Sequence, residues 1–208
     1  VIVLTADQRD STHTTDRVPE ALGLVARLSA GRDGVVLPFD RTVGDELQGL
    51  LDGTPEGAAL AVDLALALAR GGGWSVGIGV GPVVEPLPAV SRAASGRAFV
   101  HARRAVERAK RRGAAGPGAG GIAVGADDAA AAAEVEALLR MTAALAARRT
   151  DPGWEAVDAV ARTGSQKAAA AALGVTVQAV SQRLRAALAG EEAAVRPVAA
   201  RLLATIAR

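Results

Sequence analysis

The chain has no cysteine and no tyrosine, only two histidines and only four aromatic residues in 208. Without cysteine there are no disulfides, no thiolate nucleophile and no cysteine-based zinc site. His13 and His101 are too few for most zinc sites, and no Ser/His/Asp constellation can be assembled around them. No apolar run approaches the roughly 18 residues of a membrane span, and no secretory signal opens the chain, so no membrane partner and a cytoplasmic location are expected. The aromatics are Phe39, Trp74, Phe99 and Trp154; alanine fills the apolar half of the composition instead. Lys110 and Lys167 are the only lysines, and the formal charge of +2 is by itself weak support for a polyanionic partner.

What is present falls into two parts. The first alternates strand-like and helix-like segments. "VIVLTA" (1–6) is a short β-branched run, and "RVPEALGLVARLSA" carries Leu22, Val25 and Leu28 at helical spacing behind Pro19. "GVVLPFDRTVGDELQGLLD" is two apolar runs hinged at Gly44-Asp45, a hairpin pattern. "TPEGAALAVDLALALAR" opens on a helix-start signal. "WSVGIGVGPVV" predicts a glycine-dotted strand, "SGRAFVHARRAVERAKRR" a basic helix, "GAAGPGAGG" (113–121) a flexible loop and "IAVG" a last strand.

Beyond about Asp127 every segment reads as helix. "DDAAAAAEVEALLRMTAALAARR" has acids first and arginines last, which suits the helix dipole, and reads as a connecting or dimerisation helix. The expected organisation is α+β: an α/β domain over residues 1–125, a connecting helix over 126–150 and an all-α domain over 151–208.

In the all-α part, "SQKAAAAALGVTVQAVSQRLRAAL" (165–188) sets small Ala170 four residues before Gly174 and Thr176 just after it. Val180 and Leu184 then share an inner face. A helix-turn-helix needs these features: a small residue for close helix approach, a glycine for a left-handed turn and a hydroxyl to cap the second helix. The outward residues are then Val177, Gln178, Ser181, Gln182 and Arg185, with Lys167, Arg183 or Arg185 within reach of phosphates. From Thr163 onward six basic residues face two acids, a local electrostatic footprint. An alanine-rich helical hairpin, or a module that binds protein, fits the same composition. Trp154, Val157 and Val160 are expected to pack on the pair, with Trp154 in the core and "VRPVAARLLATIAR" as a final helix. The run "A..LGVT..AV..RL.RA" resembles the helix-turn-helix of LuxR-type regulators and of the promoter-reading domain of sigma factors. That resemblance implies double-stranded DNA as partner and, because specific sites pair two half-sites, a homodimer.

In the α/β part, Asp7 ends the first strand and Asp45 sits at the hairpin tip. Two carboxylates brought to one sheet edge repel unless a cation lies between them, and such a pair suits Mg²⁺ on a triphosphate. Gly-Asp is equally good turn chemistry for a solvated tip that carries Asp45 and Glu46. The order of "TADQRDST", "TVGDEL", "GIGVGPVV" and "GRAFVHARR" resembles the palm domain of class III nucleotidyl cyclases and diguanylate cyclases. The resemblance implies a ferredoxin-like fold, metal binding by Asp7 and Asp45, and Gly96, Ala102 and Arg104 in the motif that serves the nucleotide. The chain departs from that pattern in three places. Val100 stands where cyclases carry a transition-state asparagine, Arg41 where a base-holding lysine is common, and Val43-Gly44 where diguanylate cyclases double the glycine. One missing transition-state donor typically costs ~3 kcal/mol of barrier, which speaks against an efficient cyclase while leaving nucleotide binding open. Taken whole, the pattern with its C-terminal helix-turn-helix resembles the SatD family of small bacterial DNA-binding regulators.

Other residues have plain readings. Asp10, Ser11 and Thr12 belong to a polar loop that caps a turn or joins the site. "GIGVG" lacks the lysine and spacing of a phosphate loop and suits close strand packing. His101 and the run Arg103, Arg104, Arg108, Lys110, Arg111, Arg112 read as a solvated basic face or a second phosphate-contacting surface. The expected function is DNA-binding regulation with a nucleotide-sensing or dimerisation domain. The alternatives are a Mg²⁺-dependent nucleotidyl cyclase or transferase using Asp7, Asp45 and Arg104, and a protein-interaction scaffold.

Overall fold

The computed structural model describes residues 1–70, 72–113 and 121–208. The order is β1 (Ile2–Gln8), α1 (Val18–Ser29), β2 (Val35–Arg41), β3 (Glu46–Leu51), α2 (Pro55–Ala69), β4 (Trp74–Val80), α3 (Arg97–Gly113), β5 (Ile122–Gly125), α4 (Ala129–Ala147), α5 (Asp151–Thr163), α6 (Gln166–Leu173), α7 (Val177–Ala186) and α8 (Ala189–Ile206). The molecule is therefore mixed α+β, with five strands among the described residues and a helical C-terminal part. Among the described residues no helix is long and apolar enough to cross a membrane. The loop expected at 113–121 falls mainly outside the described residues.

Local chemistry starts most helices. Thr54, Thr150, Ser165 and Thr176 each accept a backbone N–H from three residues on, as does Asp128 ahead of α4; each such cap satisfies one of the orphan donors of a helix start. Gly174, in the left-handed region at φ 65°, ends α6, and a side chain there is strained.

The sheet runs β2-β3-β1-β4-β5, antiparallel except for the parallel β4–β5 pair. Because strand side chains alternate, Ile2, Leu4 and Ala6 of β1 lie with Leu47, Leu51, Val76 and Ile78 in the main core, against α1, α2, α4 and α8. Val3 faces the opposite way and meets Leu50, Leu37 and the Ala98 and Ala102 of α3. α3 approaches β4 so closely that a Cβ on Gly77 would lie 2.4 Å from the Val106 nitrogen, and one on Gly79 2.1 Å from the Ala98 oxygen. The glycines of "GIGVG" thus seat a helix backbone.

The helical part departs from the expected organisation. α4 is not a free connector: Val135 and Leu139 are fully buried in the main core. α8 does not stay with α5–α7 either, because Ala199, Ala200, Leu203 and Ala204 bury in that same core beside α2. Alanine on one face of both helices permits the close approach, and alanine periodicity alone does not say which neighbour a helix meets. Only α5, α6 and α7 form a separate small core, from Ala156, Ala159, Ala169, Ala170 and Val180 with Leu173 and Leu184 around them.

That unit meets the rest of the molecule across a charged junction. Arg70, which caps the end of α2, holds Asp158 of α5 with two bonds of 2.7 and 2.6 Å. Arg149, whose side chain is 2% exposed, donates to the Ala187 carbonyl at 2.7 Å and pairs with Glu192. Glu192 also accepts from Arg196 at 3.0 Å, and Arg196 reaches Asp63 at 2.7 Å. The guanidinium carbons of Arg70 and Arg149 lie 3.6 and 4.7 Å from the Trp154 ring centroid. Trp154 is accordingly half-buried in the junction and not in the core expected for it: two cations over the ring are favourable there.

Candidate functional site

Two places gather chemistry-bearing side chains. The first is the α3 side of the sheet. Register pairs Thr5 with Gln48 and Asp7 with Glu46, on the same face as Val3, so four polar residues follow one another across β1 and β3. Thr5 Oγ1 donates to Gln48 Oε1 at 3.3 Å, Gln48 Nε2 donates to the Ser91 carbonyl at 3.2 Å, and Ser91 Oγ returns a bond to the Gln48 carbonyl at 2.9 Å. This buried network ties the turn Ser91–Ala93 to the sheet.

The carboxylate opposite Asp7 is that of Glu46, which is buried, whereas Asp45 is half-exposed at the turn. Gly44 adopts φ 66° in that turn, and the Asp45 carbonyl accepts the Gln8 N–H at 3.0 Å. Glu46 accepts from Thr42 Oγ1 at 2.7 Å and lies 3.7 Å from Arg103. Lys110 of α3 places its ammonium 2.8 Å from Asp7 and 3.1 Å from Glu107. A cation thus stands at Asp7, and it comes from the chain. A divalent ion at Asp7 would have to share this carboxylate with Lys110 or displace it. Among the described residues no three His, Cys, Asp or Glu side chains gather closely enough to hold a metal.

Burial pushes the Asp7 carboxyl above its ordinary range; Asp45 and Glu46 add to that, and Lys110 offsets only part. Burial also works to lower Lys110, but its hydrogen bonds to Asp7 and Glu107 prevail and hold it above the usual lysine value. Ionising Asp7 is therefore harder in the folded protein than in the unfolded chain. Between its ordinary and its raised value the folded chain binds the extra proton, so stability rises as pH falls through that window. Asp7→Asn is expected to keep or raise the melting temperature at pH 7 and to abolish this rise. Melting curves of both proteins across pH 4–7 check it, and a loss of more than about 1 kcal/mol at pH 7 would mean that the Lys110 pair outweighs the burial cost.

Beside this face opens a pocket of about 610 Å³ lined by Thr42, Gln48, Ser95, Phe99 and the arginines Arg92, Arg103 and Arg104. Arg92 pairs with Asp40 at 3.3 Å and Arg103 leans on Glu46, while Arg104 has no ionic partner among the described residues. Gly96, at φ 134°, lets the chain turn into α3 with Val83 packed against it. Val100 is exposed on the pocket wall. Arg41 is held by Asp16 across an ion pair that keeps the Asp16 carboxyl below its usual range. Three arginines, hydroxyls and one ring suit an anion with an aromatic part.

Arg103, Arg104 and Arg111 of α3 are exposed, as a solvated face requires, but Arg108 and Lys110 are engaged, which corrects that reading for these two. Arg108 donates to the Val124 carbonyl at 2.6 Å and lies 3.5 Å from Glu136, whose carboxylate accepts the Val124 N–H at 2.9 Å. His101 is also no surface residue: its side chain is 15% exposed, with Nδ1 2.7 Å from the Val80 carbonyl and Nε2 3.5 Å from Asp127. A carbonyl only accepts, so Nδ1 carries a proton. Asp10 and His13 pair with each other at 2.7 Å in an exposed turn, where Thr12 also bonds His13. Lys110 was legible only as one charge of a basic run; Glu46 was marked together with Asp45, and the alternation Thr5/Asp7 against Glu46/Gln48 is what puts Glu46, not Asp45, opposite Asp7.

The second place is α7. Thr176 caps it, its Oγ1 taking the Ala179 N–H at 3.1 Å, so this hydroxyl serves the helix. Val180 is buried, and Val177, Gln178, Gln182 and Arg185 are exposed, with Ser181 half-buried. Arg183 is 3.3 Å from Glu155 of α5 and so partly committed. Lys167 is exposed on α6. The side chains of Gln178, Gln182, Arg185 and Lys167 make no hydrogen bond or ion pair among the described residues.

Comparison of the chain with protein-family models, with curated proteins and with solved structures found no match.

Proposed function

We propose that this chain is a DNA-binding regulator, with α5–α7 as a helix-turn-helix and residues 1–125 as a ferredoxin-like, cyclase-like palm. The observation that carries the reading is the outer face of α7: Gln178, Gln182 and Arg185 share one side, exposed and without partners among the described residues, while Val180 anchors the other. Amides and a guanidinium spaced by four and three residues suit adenine and guanine edges in the major groove. Lys167, and Arg183 once freed of Glu155, suit phosphates on either side. The strand order, with β1 between β3 and β4, supports the palm reading, and the arginine-lined pocket supports nucleotide sensing by it. Asp7 and Asp45 are the carboxylates that would take a Mg²⁺ brought with nucleotide phosphates. A homodimer follows from the two half-sites of a specific operator, and kinship with SatD-type regulators is part of the same proposal.

The test is selection of a duplex from random sequence, followed by titration. Arg185→Ala and Gln182→Ala should each weaken the selected site by about 1–3 kcal/mol, roughly fivefold or more, and relax its sequence preference. Lys167→Ala should weaken all duplexes alike and reduce the salt slope by about one. Absence of any salt-sensitive duplex binding by the folded protein sinks the reading. The pocket beside Asp7 and Glu46 favours one second reading, a Mg²⁺-dependent enzyme acting on a nucleotide. Turnover of ATP or GTP that disappears in Asp7→Asn would establish it in place of the first.

A further inference from the structure

Between α2, α4, α5 and α8 lies a cleft of about 370 Å³, the junction through which the α5–α7 unit meets the sheet domain. Three cations and three anions line it, Arg70, Arg149 and Arg196 against Asp63, Asp158 and Glu192. Each is already satisfied: Arg70 by Asp158, Arg149 by Glu192, and Arg196 by both Glu192 and Asp63. An ionic ligand finds no uncompensated counter-charge there, and breaking one of these pairs to make room leaves a desolvated charge behind. The remaining wall is apolar, with Leu66, Val157, Ala67, Ala143 and Ala161 beside the Trp154 ring.

Protein interiors close voids of this size where they can, since unfilled apolar volume forfeits packing. Here charged side chains already committed to each other line one part of the cleft, and small alanines line another and leave it unfilled. The volume is at the lower end of that of small-molecule sites, and such sites are mostly apolar with a few polar groups. We infer that this cleft binds a small, uncharged, mainly apolar ligand of the size of three fused or linked aromatic rings. Its position makes that ligand an effector: one wall belongs to α5 of the reading unit and the others to the sheet domain, so occupancy fixes one against the other. Only this last step rests on the DNA-binding reading, and the ligand site stands or falls without DNA.

The probe is N-phenyl-1-naphthylamine, which is uncharged and fluoresces when it leaves water. Its comparator is 8-anilino-1-naphthalenesulfonate, the same frame with an anionic group added. The whole chain should bind the neutral probe saturably, one per chain, with energy transfer from tryptophan, and should bind the sulfonate at least tenfold more weakly. Ala143→Leu and Ala161→Leu, on two different walls, should each weaken the neutral probe at least tenfold, with folding checked by circular dichroism. Two variants guard against one failing to fold. No saturable binding by the wild type, equal or tighter binding of the sulfonate, or retention of the probe by a folded filling variant each overturns the site. If the probe binds as expected but leaves the affinity for the selected duplex unchanged within twofold, the effector step is overturned and the site retained. A protein that binds the probe but no duplex at all refutes the DNA-binding reading instead.

Discussion

Arg149→Met is expected to destabilise the protein by about 3 kcal/mol, the lower end of what removing one partner from a buried ion pair costs. The guanidinium is 2% exposed and serves three groups at once: the Ala187 carbonyl at the end of α7, the Glu192 carboxylate and the Trp154 ring. Without it, Glu192 keeps only Arg196, and the Ala187 carbonyl loses its donor. For a chain of this length, about 3 kcal/mol lowers the melting temperature by roughly 6–12 °C. The double variant Arg149→Met/Glu192→Gln removes both charges and should recover part of the loss, because no carboxylate is then left buried without its partner. A single-variant loss below about 1 kcal/mol in urea titration would mean that the junction is wet and the pair merely superficial.

The same pair carries a pH signature. Burial pushes the Glu192 carboxyl up, but the hydrogen bonds and charges of Arg196 and Arg149 outweigh it and hold the group below its ordinary range. As pH falls, the unfolded chain takes up this proton first. The contribution is therefore complete above the ordinary glutamate value of 4.5, and is lost as pH falls from there through the folded value. The double variant should show a shallower acid limb. This runs opposite in sign to Asp7, whose raised value stabilises the fold on mild acidification, so the two groups can be told apart in one melting series.

Gly79→Ala should have an effect at least as large, about 3 kcal/mol or more by overpacking against an immovable neighbour. The added Cβ would lie 2.1 Å from the Ala98 oxygen and 2.2 Å from the Ala102 nitrogen, both backbone atoms of α3. No rotamer relieves that contact; the helix must lift from β4. Because Phe99, Arg103, Arg104 and Lys110 all ride on α3, the shift would also spoil the pocket and part Lys110 from Asp7. Denaturant titration gives the stability, and a variant within 1 kcal/mol of wild type would show that α3 is not seated as tightly as the glycines imply.

Much of the local structure was legible because its causes are local. The hydroxyls and acids that cap the helices, Gly44 at the hairpin and Gly174 between α6 and α7 each act within a few residues of where they stand. The alternation of β1 and β3 was equally readable, and it places Asp7 on one face with Glu46. The candidate site was only half visible. Asp7, Asp45 and Arg104 were marked by type and position, but Lys110, which lies more than a hundred residues from Asp7, looked like one charge in a basic run. His101 and Arg108 were concealed in the same way. A charged side chain on an amphipathic helix reads as solvated until the partner that captures it is known.

The sequence by itself determined the number and order of the elements, the turns and caps between them, and the division into an α/β part and a helical part, since these follow from periodicity and backbone preference. Only the tertiary structure decided that α4 and α8 belong to the core of the sheet domain, that Lys110 stands at Asp7, and that Trp154 and three arginines form a junction. Those contacts join segments far apart in the chain, and alanine, which packs against almost any neighbour, leaves no mark in the sequence of which neighbour it will meet.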